Sequence, residues 1–105
     1  MSSNFFFQKK NIKISKAFIN TNFKKDFLIN DVRPLHLARE KDLTFFDSSK
    51  YKNDATKTKA GACITTEKLV NFLPKKVEKV IVKNVLFELA KVLKVMFIIH
   101  HLMEK

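Results

Sequence analysis

The chain has 105 residues, a formal net charge of +11 and 46% hydrophobic content that includes eleven phenylalanines. That length suits one domain rather than two, and it can bury about two-thirds of its unfolded surface, so the fold needs neither a disulfide nor a metal. The hydrophobic content excludes a disordered chain, and the lone cysteine, Cys63, excludes an internal disulfide and suits a reduced, cytoplasmic setting.

Only Arg33 and Arg39 are arginine; the other basic residues are lysines scattered along the chain. Phosphate-reading surfaces favour the planar guanidinium fork, so most of this charge reads as solvated surface, not as a nucleic-acid or membrane patch. Residues Met1 to Gln8 read as a loose terminus, with Phe5 to Phe7 able to dock on the domain. They form no secretory signal, because the apolar run is short and its lysines follow it. No stretch is long and apolar enough to span a membrane.

From Lys9 to Lys25, lysines interleave with Phe18 and Phe23. Such a pattern suits a stacking surface for single-stranded nucleic acid, but more often marks an amphipathic segment with its lysines in water. Within it, Asn11–Phe18 suits a short helix and a strand equally. Phe27 to Val32 reads as a strand, apolar at Phe27-Leu28-Ile29. Pro34 then suits the first turn of a short helix carrying Leu35, Leu37 and Ala38, with His36 at the surface. Glu40-Lys41-Asp42 is a polar turn.

Leu43 to Phe46 is a short β-branched and aromatic strand followed at once by small polar residues. Ser48 and Ser49 read as the N-cap of a helix over Lys50–Lys59. Phe45, Ser48 and Tyr51 are spaced three apart across this junction. Two aromatic rings and a hydroxyl at a strand's carboxyl end can seat a flat ring such as a nucleobase. Spacing alone fits ordinary core packing of the two rings as well.

Gly61, the chain's sole glycine, marks a turn before a buried strand over Ala62–Thr65. Cys63 lies in that strand and reads as a small buried hydrophobe. Thr65 or Thr66 can cap a brief helix through Leu69, Val70 and Phe72, which Pro74 ends. Val80-Ile81-Val82 is a strand, and Asn84 caps a last helix from Val85 onward. Glu88, Lys91 and Lys94 form its narrow polar stripe, while Val95 to Ile99 is apolar on every side. His100 and His101 are adjacent and cannot chelate one ion together on a helix, so no metal site is expected. Strands alternating with short helices predict a small single-domain α/β fold: a mixed sheet of about four or five strands, short helices and a longer C-terminal helix.

Several residues in order add to this reading: Val32-x-x-Leu35-x-x-Ala38, Asp42-Leu43-Thr44-Phe45-Phe46, Lys50-Tyr51, Ala60-Gly61-Ala62 and Val82-Lys83-Asn84. The series resembles the N-terminal domain of UDP-3-O-(3-hydroxyacyl)glucosamine N-acyltransferase of lipid A biosynthesis. The likeness implies residues 1–26 as an N-terminal segment, 27–94 as the UDP-sugar acyltransferase N-terminal-like domain and 95–105 as an atypical helical tail. It implies that Phe45 and Tyr51 hold a uracil ring between them and that Ser48 stands where an asparagine usually meets the base edge. The expected ligand is a UDP-acylglucosamine-type nucleotide sugar, without a cofactor. Acyl carrier protein is a partner only of the full-length family enzyme. In that enzyme a histidine base works from a domain of hexapeptide repeats, and no such repeats occur in these residues. His100 and His101 match no family motif, so no catalytic residue and no acyl transfer by this chain alone are expected. A truncated enzyme and a free-standing module both fit this pattern. The alternative from another class is a small basic protein that binds nucleic acid through Lys9–Lys25, or a partner through its apolar helix.

Overall fold

The computed structural model describes residues 5–101. Strand β1 (Phe5–Lys9) leads into a four-residue helix α1 (Ile14–Ala17), and a two-residue strand β2 (Asp31–Val32) follows. Strand β3 (Asp42–Phe46), a 3-10 turn over Ser49–Tyr51 and helix α2 (Lys52–Lys57) form the next unit. Strand β4 (Ala62–Thr65), a second 3-10 turn over Val70–Phe72 and strand β5 (Glu78–Ile81) come next. Helix α3 (Val85–Met96) and strand β6 (Phe97–His101) complete the described chain.

Strands β2 to β5 form one four-stranded sheet in sequential order, parallel at every pair, while β1 and β6 form a separate antiparallel ribbon. This is the expected α/β class, with its antiparallel pairing confined to the ribbon. A strand–crossover–strand unit takes one hand in nearly every parallel sheet, so an unbroken strand order sends successive crossovers over the same face. The packing agrees: Leu35, Ala55, Leu73 and Val77, drawn from the three connections, share one cluster with Phe46 and Cys63. Helices α1 and α3 cover the opposite face, where Ile14, Val85, Leu89, Val92 and Met96 pack on Leu43, Ala62, Ile64 and Val80. Period-two alternation along β3 and β4 thus feeds two cores, and all four β4 residues are buried, as suits a central parallel strand.

The caps follow local chemistry. The Asn84 side chain accepts a hydrogen bond from the Phe87 N–H at 3.0 Å and starts α3. Helix α3 buries Val85, Leu89, Val92 and Met96, spaced three and four apart, along one stripe. Leu73 is extended because Pro74 follows it, which ends the second 3-10 turn. Burial drives Ile29 inward at 0% exposure. At the sheet edge, the Arg33 guanidinium lies 3.5 Å from both Asp31 and the buried Asp42, joining β2 to β3.

Several boundaries differ from those read in the sequence. Asn11–Phe18 resolves into α1, and Phe27–Val32 narrows to β2. The backbone of Phe27 and Ile29 is taken up instead by Ile14 and Ile12, through bonds of 2.9 and 2.8 Å. The Pro34 helix is a single turn, in which Leu37 and Ala38 donate to the Pro34 carbonyl. The Lys50–Lys59 helix splits into the 3-10 turn and α2. The helical reading of the tail is corrected for Phe97–His101, which form β6 paired with β1, Phe7 opposite Ile99. Phe and Ile favour extended backbone once a partner strand is at hand. Residues 1–4 and 102–105, the ends of the predicted terminus and tail, lie outside the described residues.

Candidate functional site

The junction between β3 and α2 is built by a short run of local bonds. β3 lies between β2 and β4, with Phe45 opposite Ile64 and Phe46 opposite Thr65. The Thr65 hydroxyl donates to the Phe46 carbonyl at 2.9 Å, holding the carboxyl ends of the two strands together. Ser48 then leaves the sheet in an extended conformation, and its Oγ accepts a hydrogen bond from the Lys50 N–H at 3.3 Å. The Tyr51 N–H donates to the Ser48 carbonyl at 3.1 Å, closing the turn. Serine is suited here because a short hydroxyl can fold back onto the next turn's backbone.

The three predicted residues occupy different environments. Phe45 is half-buried and packs against the cluster under α1 and α3. Its neighbour Phe46 points to the other face, 1% exposed, and meets the Phe72 ring edge-on with centroids 6.2 Å apart. Tyr51 is 47% exposed, with the Lys50 ammonium 5.6 Å from its ring centroid. Ser48 and Tyr51 therefore share one turn at the carboxyl end of β3. Among the described residues Phe45 and Tyr51 form no ring pair with each other. Lys50 is the residue that sequence reasoning left unassigned; its position beside Tyr51 in the chain was the available signal.

Other reactive groups have structural surroundings. Cys63 is fully buried, and burial pushes its thiol up to about 12, so it is a poor nucleophile. Asp26 is exposed, and hydrogen bonds from Ser15 hold its carboxyl below the ordinary value; these bonds join α1 to the segment before β2. Burial lowers the Lys79 ammonium, which donates to the carbonyls of Pro74 and Val77 at 2.8 Å each. His36 is exposed. Phe18 is buried and Phe23 packs against the first cluster, so the two rings of the Lys9–Lys25 segment serve the core. Among the described residues no group of three His, Cys, Asp or Glu side chains is placed to hold a metal, and no helix is long and apolar enough to cross a membrane.

Comparison with known proteins adds one match. Residues 26–95 match the model of the family described as UDP-3-O-(3-hydroxymyristoyl) glucosamine N-acyltransferase, LpxD. No curated protein matches the chain.

Proposed function

The chain belongs to the UDP-3-O-(3-hydroxymyristoyl) glucosamine N-acyltransferase family, and on that premise we propose that it binds the uridine end of a UDP-sugar at the carboxyl end of β3. The observation that carries the reading is the half-exposed Tyr51, closed by one turn onto Ser48 just beyond the strand that bears Phe45. In parallel sheets ligands sit outside the carboxyl ends of strands, where loops are free to present side chains. Tyr51 offers an aromatic face, and Lys50 beside it supplies a cation for the diphosphate. The Ser48 hydroxyl already accepts one backbone hydrogen bond, which leaves its proton and one lone pair for a base edge.

The partner in this reading is a UDP-acylglucosamine-type nucleotide sugar of lipid A synthesis, met in the cytoplasm. No residue of the chain is assigned acyl transfer, and acyl carrier protein is a partner of the full-length family enzyme. Titration of UDP-N-acetylglucosamine, followed by nitrogen-15 NMR, tests the proposal. Loss of one stacking ring costs about 1–3 kcal/mol in single-strand base recognition, so Phe45→Ala and Tyr51→Ala should each weaken binding by roughly tenfold or more. Indistinguishable titrations for wild type and both variants would refute it. The rival nucleic-acid reading predicts oligonucleotide binding that falls steeply with salt, whereas ring-specific binding responds little.

A further inference from the structure

A cleft of about 710 Å³ opens at the opposite, amino end of the strands of the same sheet, a volume that suits a small-molecule ligand. Its walls come from the segments that precede β2, β3, β4 and β5. Phe27, Ala60, Pro74 and Val77 contribute apolar surface. Gly61 keeps the back wall thin, since a Cβ there would lie 2.7 Å from the Phe27 ring and inside contact distance of the Glu40 carbonyl. The rim carries five cations, Lys25, Arg39, Lys57, Lys59 and Lys76, against two carboxylates, Glu40 and Glu78.

What separates this rim from the lysines spread over the rest of the surface is that its cations line one concavity. None of the five cations joins an ion pair among the described residues; the pairs formed use Arg33 and Lys91. The Glu78 carboxylate is meanwhile occupied by backbone, accepting from the N–H groups of Lys24 and Lys25 at 3.0 and 3.1 Å. With five cations against two carboxylates, the cleft keeps an excess of positive charge around a concave apolar floor. Several cations converging on one concavity favour a multiply charged anion, with the Arg39 fork able to take two oxygens and the lysines acting as point charges.

We propose that this amino-end cleft binds a small phosphate ester whose organic part is apolar or aromatic. The phosphate meets the rim cations and the organic group lies on the Phe27–Val77 floor. The ligand class differs from a long polyanion, which a concave pocket of this size cannot follow. The site is also separate from the β3–Tyr51 junction, because a five-residue strand sets its two ends about 15 Å apart.

The test titrates the whole 105-residue chain with 1-naphthyl phosphate, 1-naphthol and inorganic phosphate, watching backbone amides by nitrogen-15 NMR. The expected result is shifts centred on Gly61, Val77 and Glu78, with naphthyl phosphate binding at least about tenfold more tightly than either half alone. Lys57→Gln with Lys76→Gln should weaken it roughly five- to tenfold. Lys16→Gln with Lys68→Gln, which removes the same charge outside the cleft, should change it by less than about twofold. The same spectra report whether each variant is folded. Equal weakening by both pairs, equal binding of inorganic phosphate, or shifts confined to Phe45–Tyr51 would each overturn the proposal. Titration with UDP-N-acetylglucosamine is read at a different set of amides, so failure at one site is distinguishable from failure at the other.

Discussion

Gly61→Ala is the sharpest test of how the sheet is assembled. Gly61 precedes β4 and is bonded on both sides: its N–H faces the carbonyls of Arg39 and Asp42 at 3.2 and 3.0 Å, and its carbonyl accepts from the Glu78 N–H at 2.9 Å. A Cβ would lie 2.7 Å from Phe27 Cζ and 3.1 Å from the Glu40 carbonyl carbon, with the carbonyl oxygen closer still. The ring can turn aside, but the Glu40 carbonyl is backbone and moves only if the start of β3 moves. Overpacking of this kind costs about 1–3 kcal/mol. Each backbone hydrogen bond stretched by the displacement adds about 1 kcal/mol. The smaller unfolded-state entropy of alanine returns about 0.4–1 kcal/mol. A net loss of about 3 kcal/mol is expected, equivalent to a fall in Tm of roughly 12–20 °C for a domain of this size. Urea denaturation followed by far-UV circular dichroism should show a lower midpoint at unchanged slope. A variant within about 0.5 kcal/mol of wild type would refute the account of Gly61 as a packing requirement.

Three further outcomes follow from particular residues. Ser48→Asn supplies an amide that can donate and accept at once, so under the proposed function it should raise discrimination between uridine and cytidine nucleotides by about fivefold in the same NMR titration; no change would remove Ser48 from the base edge. Thr44 is fully buried on the Phe46 face and its hydroxyl has no hydrogen-bond partner among the described residues; Thr44→Val should be neutral or stabilise by about 1 kcal/mol in urea, and a loss beyond about 1 kcal/mol would show a hidden partner. Cys63 keeps its proton in the folded state because burial raises the thiol to about 12. From about pH 8.5 the unfolded chain alone releases that proton, so stability falls as pH rises toward the folded value, by about 1.4 kcal/mol per pH unit. Cys63→Ala should lack this component, and a thiol reagent at neutral pH should label Cys63 only after denaturation; fast labelling of the folded chain would contradict its burial.

Where neighbouring residues carried the information, the sequence was sufficient. Ala62–Thr65 is a strand because a short apolar run follows the only glycine, and the observed bounds of β4 agree. Asn84 caps α3 through a bond to a residue three positions on, and the stripe from Val85 to Met96 repeats at helical spacing. The ordered residues from Val32 to Asn84 likewise carried the family resemblance, and the family match spans them. Other features depended on partners distant in the chain. Phe97-Ile98-Ile99 is apolar on every side and satisfies helix and strand alike; pairing with Phe5–Lys9 decides for a strand. Phe27–Ile29 has strand composition, yet its backbone bonds go to Ile12 and Ile14 and the parallel ladder begins only at Asp31.

The same division runs through both proposed binding regions. Spacing placed Phe45, Ser48 and Tyr51 at one strand end, but it could not distribute their exposure. β3 is an interior strand, so Phe45 is shared with the core beneath α3, whereas Tyr51 stands half-exposed on a turn. The amino-end cleft was illegible in the sequence altogether. Lys25, Arg39, Lys57 and Lys76 are separated by many residues, and only the parallel order of β2, β3, β4 and β5 brings the segments before those strands to one end of the sheet. Local patterning determined which residues form elements, because capping and periodicity act over a few residues; long-range strand pairing decided which side chains meet, because register joins segments that share no local signal.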